Sequence, residues 1–332
     1  MQTSTSTSTT TTSRAIGIDL GGTAIKGAII DGSGVVGAVT RVPTEAHGGG
    51  QRVLGNILSL IGELIEKSGA PASSFVGVGI GTPGFVDGDG TILGGAENLP
   101  GWKGTQVYSP VTERFGLPAA AANDVTAVAL AELMFGAGRG VKNMACFALG
   151  TGVGGGIVAN GRLYKGSHGM AGELGHIVVE TGGRECPCGQ KGCVERYASA
   201  TGIVQTAIEM AAEGGQTQLA QLARGNPAAV TSKAVYERVA EGDELAVRVH
   251  ENACDMLGRA VGIMINAFSP DRVVIGGGVA MAGGVIIEAV KRYAALHSWP
   301  AIFERCEIVP AQMGEDAGVL GAGALAIEEF GG

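Results

Sequence analysis

The feature that most limits what this chain can fold into is a repeat. Ile16-Gly-Ile-Asp-Leu-Gly-Gly-Thr23 reads as an apolar strand ending in a glycine turn that carries a threonine, and a returning strand follows. Phe147-Ala-Leu-Gly-Thr-Gly-Val-Gly-Gly-Gly156 has the same plan in the second half of the chain. One such hairpin could recur by chance among 59 glycines. Two, each opening a block of strands and helices, and a third glycine run at Gly276-Gly277-Gly278, call for a common cause. We expect two similar α/β domains facing each other, each offering a glycine hairpin to a shared cleft.

Hydrophobic periodicity places the other elements. Strands are expected at 15–20, 24–30, 35–41, 75–80, 143–149, 156–159, 272–275 and 306–310. Helices are expected at 52–67, 124–135, 197–212, 232–240, 244–268, 285–293 and 317–329. The domains are expected at 14–122 and 123–316, the last helix, 317–330, returning to the first domain. Residues 1–13 are almost all Ser and Thr and read as a disordered tail or a cloning remnant, too short and polar for a DNA-binding domain.

The glycine turns suggest their own chemistry. Consecutive backbone N–H groups in such turns form concave anion nests, and glycine lets a phosphate approach. Thr23 and Thr151 add hydroxyls. Neither turn is a P-loop or a dinucleotide fingerprint, so two facing nests suit a nucleoside triphosphate better than a dinucleotide. Asp19, ending the first strand, could hold Mg²⁺ through water or simply cap the turn. Lys26 reads equally as a strand residue or a phosphate neighbour. Phosphoryl transfer also needs a proton acceptor, and Asp124 in Asn123-Asp124 is the candidate. The pair also reads as a helix cap, which is compatible, since a rigid Asp makes a well-placed base.

A second constellation lies between His176 and Glu195. Three of the six cysteines, Cys186, Cys188 and Cys193, fall within eight residues, with His176 before them. Three thiolates and an imidazole make a closed tetrahedral zinc set, the competing reading being a disulfide with one loose thiol, or three loose thiols. Glu173 and Glu195 bracket the loop, and Glu97 and Asn98 lie in the tight turn Glu97-Asn-Leu-Pro-Gly-Trp102. Carboxylates and amides with few cations suit a neutral polyol. The metal loop is expected to govern the polyol contacts without acting on the phosphate chemistry directly.

Together, Asp19-Leu-Gly-Gly-Thr23, Leu149-Gly-Thr-Gly-Val-Gly-Gly-Gly156, Gly172-Glu-Leu-Gly-His176 and Cys186-Pro-Cys-Gly-Gln-Lys-Gly-Cys193-Val-Glu195 resemble the ROK family (repressors, open reading frames and sugar kinases). The resemblance implies a two-domain actin/hexokinase-like, ribonuclease H-like α/β fold with ATP and sugar in the cleft. It implies Asp124 as catalytic base. It implies Gly84, Asn98, Asn123, Asp124, Glu173, His176 and Glu195 as sugar contacts. The nucleotide set is Asp19, Gly21, Gly22, Thr23, Gly150, Thr151, Gly152, Gly154, Gly277 and Gly278, in phosphate loops at 17–24 and 150–157 and an adenosine-side turn. Structural zinc on His176, Cys186, Cys188 and Cys193, with ATP and Mg²⁺, completes the implied chemistry. Glu97-Asn-Leu-Pro-Gly-Trp102 and Glu195-Arg-Tyr-Ala-Ser199 are similar to the family's glucokinases. Leu174 also occurs in its N-acetylglucosamine and N-acetylmannosamine kinases. A non-catalytic sugar sensor is the reading from a different class.

The net charge of −8 argues against nucleic acid or an anionic membrane as partner, though not against phosphate held by backbone. Cys146, Cys254 and Cys306 read as buried thiols. No signal peptide or membrane span is visible, and a reducing cytoplasm is expected. Repressors of the family carry an N-terminal helix-turn-helix, and only the Ser/Thr stretch precedes the first strand here, so a DNA-binding regulator is not expected. A homodimer or homotetramer is.

Overall fold

A computed structural model describes residues 13–96 and 98–332. Most of the Ser/Thr stretch and Glu97 therefore lie outside the described residues. The chain divides into two compact units, one running up to Asp124 and resuming at Gly318–Gly332, the other Val125–Ala317.

The first unit opens with β1 (Ala15–Leu20), β2 (Ala24–Asp31) and β3 (Gly34–Pro43), an antiparallel run, followed by α1 (Gly50–Ser68). Then come β4 (Val78–Thr82), a short pair β5 (Phe85–Val86) and β6 (Ile92–Gly94), α2 (Tyr108–Phe115), and β7 (Ala119–Asn123). The sheet order is β3-β2-β1-β4-β7, with β1, β4 and β7 parallel. Val53, Ile57, Leu60, Ile61 and Leu64 recur at helical spacing and form the buried stripe of α1. Gly27 of β2 lets α1 close in, since a Cβ there would lie 2.8 Å from Leu60 Cδ2.

The second unit begins in α3 (Asp124–Phe135). Its strands are β8 (Met144–Leu149), β9 (Val153–Ala159), β10 (Arg162–Leu163), then, after α4 (Glu195–Ala198), α5 (Ala200–Ala212), α6 (Gln218–Gly225), α7 (Ser232–Ala240) and α8 (Glu244–Phe268), β11 (Arg272–Gly276). α9 (Gly284–His297), α10 (Pro300–Phe303) and β12 (Glu307–Pro310) complete it. The sheet order is β10-β9-β8-β11-β12, with β8, β11 and β12 parallel and β9 antiparallel to β8. That is the pairing plan of the first unit, so the sequence repeat is a repeat of topology. Ser199, Thr217, Thr231 and Asp243 cap α5, α6, α7 and α8 by accepting a backbone N–H three residues on.

The chain re-enters the first unit as α11 (Ala317–Phe330), a helix of small residues. Gly17 of β1 and Gly79 of β4 are register partners and form the floor it lies on. A Cβ at Gly79 would sit 1.7 Å from the Ala322 carbonyl oxygen, and one at Gly17 would sit 2.3 Å from that of Val319.

The periodicity reading missed β5, β6, β7, β10, α2, α6 and α10. It ran a single helix through 197–212, where the chain breaks into α4 and α5 at Ser199. It also started the strand after the second glycine turn too late. β9 begins at Val153, so Gly154 belongs to a strand rather than to the turn. Its glycine has a packing cause: a Cβ there would meet the Val125 side chain at 2.6 Å, and one at Gly156 would meet Ala129 Cβ at 2.6 Å. Gly155, facing the other way, admits Leu174 at 2.5 Å. Gly154 thus stands on the strand just beyond the turn rather than in it.

Candidate active site

In the first unit, Asp19 lies on β1 opposite Lys26, where the strand runs into its glycine turn. Burial raises the Asp19 pKa, Lys26 works against the rise, and the negative charge of Asp124 adds to it. The start of α11 presses on this carboxylate: a Cβ at Gly318 would lie 2.6 Å from Asp19 Oδ2. The turn is held by Thr44, which nothing in the sequence marked out. Fully buried, Thr44 donates its hydroxyl to the Gly21 carbonyl at 2.6 Å and its N–H to that of Thr23 at 3.0 Å. Gly22 and Thr23 are exposed, and a Cβ at Gly22 would meet Asn98 Nδ2 at 2.9 Å.

Asn123 ends β7 beside Thr82, and Asp124 is the first residue of α3. The Asn123 amide donates to the Gly84 carbonyl at 3.4 Å. Gly84 has φ 88°, and its missing side chain would collide with the Gly94 carbonyl oxygen at 2.2 Å. Trp102 is fully buried and donates its indole N–H to Thr82 Oγ1 at 2.9 Å, tying the Asn98 loop to β4. Gly84, Asn98, Asn123, Asp124 and Asp19 thus all belong to one unit.

In the second unit, the turn at 150–152 is pinned from α5. Ala200 N–H donates to the Gly150 carbonyl and the Thr201 hydroxyl to that of Thr151, both at 2.9 Å. Glu195, the first residue of α4, accepts the Val153 N–H at 3.0 Å, and a Cβ at Gly152 would lie 2.4 Å from its carboxylate. At Gly277, with φ 88°, a Cβ would lie 2.5 Å from the Leu149 carbonyl oxygen. Beside Gly278 opens a cavity of about 580 Å³ with Tyr236, Val239, Val279 and Val285 among its walls and Lys233 and Glu237 on α7. Sequence reasoning had no means of finding it, because its walls come from distant helices.

His176, Cys186, Cys188 and Cys193 converge, their ligand atoms all within 4.8 Å of one another. His176 Nδ1 is 3.5 Å from Cys186 Sγ, and Cys188 Sγ is 3.6 Å from Cys193 Sγ. The second distance is far beyond a disulfide bond of about 2.05 Å, and all six cysteines are free. These two distances match the edges of about 3.5–3.8 Å of a tetrahedron around zinc with Zn–S of about 2.3 Å and Zn–N of about 2.0 Å, within a set that spans 4.8 Å. Contacts other than the four ligand residues also shape the loop. Gly192, at φ 83°, passes so close to Glu180 that a Cβ would lie 1.7 Å from its carbonyl oxygen. The Arg184 guanidinium stacks 4.7 Å from the Tyr197 ring centroid and donates to the Arg196 carbonyl at 2.7 Å. Burial pushes the Cys193 thiol up to about 12 and raises Cys186, whereas the Gln190 N–H lowers Cys188. The other ring nitrogen of His176 faces Glu173, Nε2 to Oε2 3.8 Å, beyond direct hydrogen-bond reach.

Comparison with known proteins places this geometry in context. The model of the ROK family matches residues 15–329. The glucokinase of Halalkalibacterium halodurans is 38% identical over 311 residues, which is 93% of this chain and 94% of that one. The glucokinase of Thermotoga maritima is 35% identical over 320 residues, covering 96% and 99%. A ROK family glucokinase from Streptomyces griseus, solved in complex with glucose and AMPPNP, superposes with a TM-score of 0.75 at 29% identity, covering 95% of this chain and 99% of that one. The architecture is accordingly the two-domain actin/hexokinase-like fold of sugar kinases. Among the described residues no helix is long and apolar enough to cross a membrane.

Proposed function

This chain belongs to the ROK family, and from that premise we propose that it is a glucokinase, transferring the γ-phosphoryl group of ATP to the 6-hydroxyl of glucose. One observation carries the reading: two glucokinases are 38% and 35% identical to this chain along nearly its whole length, above the 31% of an N-acetylmannosamine kinase, and the glycine turns, Asp124 and the bracketed metal loop fall within the family match at 15–329.

In this reading Asp124, fixed at the head of α3, accepts the proton of the attacking hydroxyl. Gly84, Asn98, Asn123, Glu173, His176 and Glu195 bind the sugar hydroxyls. The turns at 21–23 and 150–152 hold phosphates through backbone N–H groups and the threonine hydroxyls. The cavity beside Gly278 is the right size for a nucleoside and presents the Tyr236 ring to a base. Asp19 would hold Mg²⁺, which would supply charge neutralisation on the phosphates. His176, Cys186, Cys188 and Cys193 would hold zinc in a structural role, since four protein ligands would leave it no open position. The enzyme works in the cytoplasm at the head of glycolysis, as a homodimer or homotetramer.

Leu174, the residue shared with N-acetylhexosamine kinases, is buried against Gly155, so it reports core packing rather than sugar identity. The deciding experiment is a coupled ADP assay with glucose, N-acetylglucosamine and N-acetylmannosamine. The reading expects kcat/KM to be highest for glucose. A preference for either N-acetyl sugar reassigns the substrate, and no ADP with any sugar points to a sugar sensor.

A further inference from the structure

Glu132 is fully buried on α3, and its carboxylate holds two separate stretches of chain. Oε1 accepts the N–H groups of Gln312 and Met313, both at 2.9 Å, and Oε2 accepts that of Ala137 at 2.8 Å. The niche is built for it: a Cβ at Gly136 would lie 2.2 Å from Oε2. A buried carboxylate is costly unless its lone pairs are met by donors. Its merit here is that both oxygens are acceptors only, so one side chain can hold three backbone donors at once.

Glu132 itself sits on the helix in which the chain leaves the first unit, and Gln312-Met313 lie on the stretch by which it returns. The chain leaves the first unit after Asp124 and returns before Gly318. Glu132 lies two helical turns along α3 from Asp124, so holding Glu132 fixes where α3 begins. On the other side, Met313 leads through the short helical turn Gly314–Asp316 into α11, whose Gly318 abuts the Asp19 carboxylate. We propose that Glu132 is a positioning residue for phosphoryl transfer: it anchors in common the segment that presents Asp124 and the segment that backs Asp19. It touches no reactant. The proposal rests on the kinase reading above.

Glu132→Gln tests it. The amide has one acceptor and one donor end, so in either orientation at least one backbone N–H faces an N–H₂ group. Val274→Ala is the control. Val274 is fully buried in the same core cluster as Ala137 and makes no side-chain hydrogen bond, so it lowers stability without touching the anchor. Both are compared with wild type by glucose-dependent ADP release, melting temperature and amide hydrogen exchange. We expect Glu132→Gln to lose about 10–100-fold in kcat with glucose KM within about twofold. Exchange should rise at Ala137, Gln312 or Met313, and Val274→Ala should keep its kcat at a comparable loss of melting temperature. Equal kcat losses in the two variants, or an unchanged kcat in Glu132→Gln, overturn the proposal. If Glu132→Gln does not fold, Glu132→Asp replaces it. It keeps the charge but is too short to reach both stretches, and the same outcomes decide. Absence of turnover in the wild type would instead sink the kinase reading and this proposal with it, whereas the exchange data report the anchor whatever the activity.

Discussion

Glu195 accepts the backbone N–H of Val153 at 3.0 Å, and through that bond the metal loop reaches the second glycine turn. Glu195 follows Cys193 by two residues and opens α4, while Val153 is the first residue of β9 after the turn. The sequence suggested a metal loop that concerned sugar alone. In the kinase reading, the bond gives it a route to the phosphate turn as well, through a side chain that Gly152 makes room for.

Glu195→Gln follows from that geometry. The amide is isosteric and can still accept from Val153, but it loses the charge that strengthens this bond and any bond to a sugar hydroxyl. We expect glucose affinity to fall about tenfold, at roughly 1.4 kcal/mol, with a smaller but measurable loss for AMPPNP and no loss of zinc. Calorimetry with each ligand separately is the check. Unchanged AMPPNP binding would remove the link to the turn.

For Asp124→Asn the expectation is different in kind. Asn keeps the shape at the head of α3 and loses only the proton acceptor. Turnover should drop about 10²–10⁴-fold while glucose still binds with near wild-type affinity in calorimetry. A variant with near-normal kcat would make Asp124 a helix-start residue only and send the search for the base elsewhere.

What the sequence disclosed and what it hid follow from the range of the interactions. Glycine turns, metal ligands and apolar stripes are local patterns, so the two hairpins, the Cys₃His set and α1, α7 and α8 were legible. β7 was not. Ala119-Ala-Ala-Ala-Asn123 carries helix-favouring residues, and only pairing with β4, Ile80 against Ala121 and Thr82 against Asn123, makes it a strand. Thr44, Glu132 and the cavity beside Gly278 escaped for the same reason, since their roles lie in contacts with residues remote in sequence. Glycine misled in the other direction. At Gly154, Gly155 and Gly156 it serves close packing on both faces of β9, and in one dimension that looks the same as a phosphate loop.

A pH dependence of stability is built into α8. His250 is buried against the edge of Tyr236, ring centroids 5.7 Å apart, with Cys254 Sγ 3.5 Å from its Nδ1. Burial lowers its pKa from the ordinary 6.5, Glu251 opposes the shift and Arg292 reinforces it. The folded state therefore binds the proton less readily than the unfolded chain. His250 costs nothing above the unfolded pKa, and stability is lost as pH falls from there toward the depressed folded value, by up to about 1.4 kcal/mol per pH unit. Melting temperatures of wild type and His250→Asn should converge on going from pH 5 to pH 7 after allowing for a constant offset. An offset that does not change across that range would mean that His250 is not titrating.

Removing the metal should give the widest effect. The four ligand atoms lie within 4.8 Å of one another, two pairs of them at the spacing a tetrahedral ion would impose, and the loop is also shaped by Arg184 on Tyr197 and by Gly192 under Glu180. Loss of the ion should therefore loosen the site without unfolding the unit. His176 would lose the bond that fixes its ring beside Glu173, and Cys193 the one that sets where α4 and Glu195 begin. We expect Cys188→Ser, or protein treated with a chelator, to bind glucose at least about tenfold more weakly, and AMPPNP more weakly to a lesser degree through Glu195 and Val153. Because burial holds the Cys193 thiol up at about 12 and raises Cys186, refilling the site at neutral pH must displace protons. Titrating Zn²⁺ into the chelated protein in a weakly buffered solution should acidify it, and glucose affinity should return in step. Metal-free protein that binds glucose normally, or purified protein without zinc, would leave the four residues a thiol cluster and nothing more.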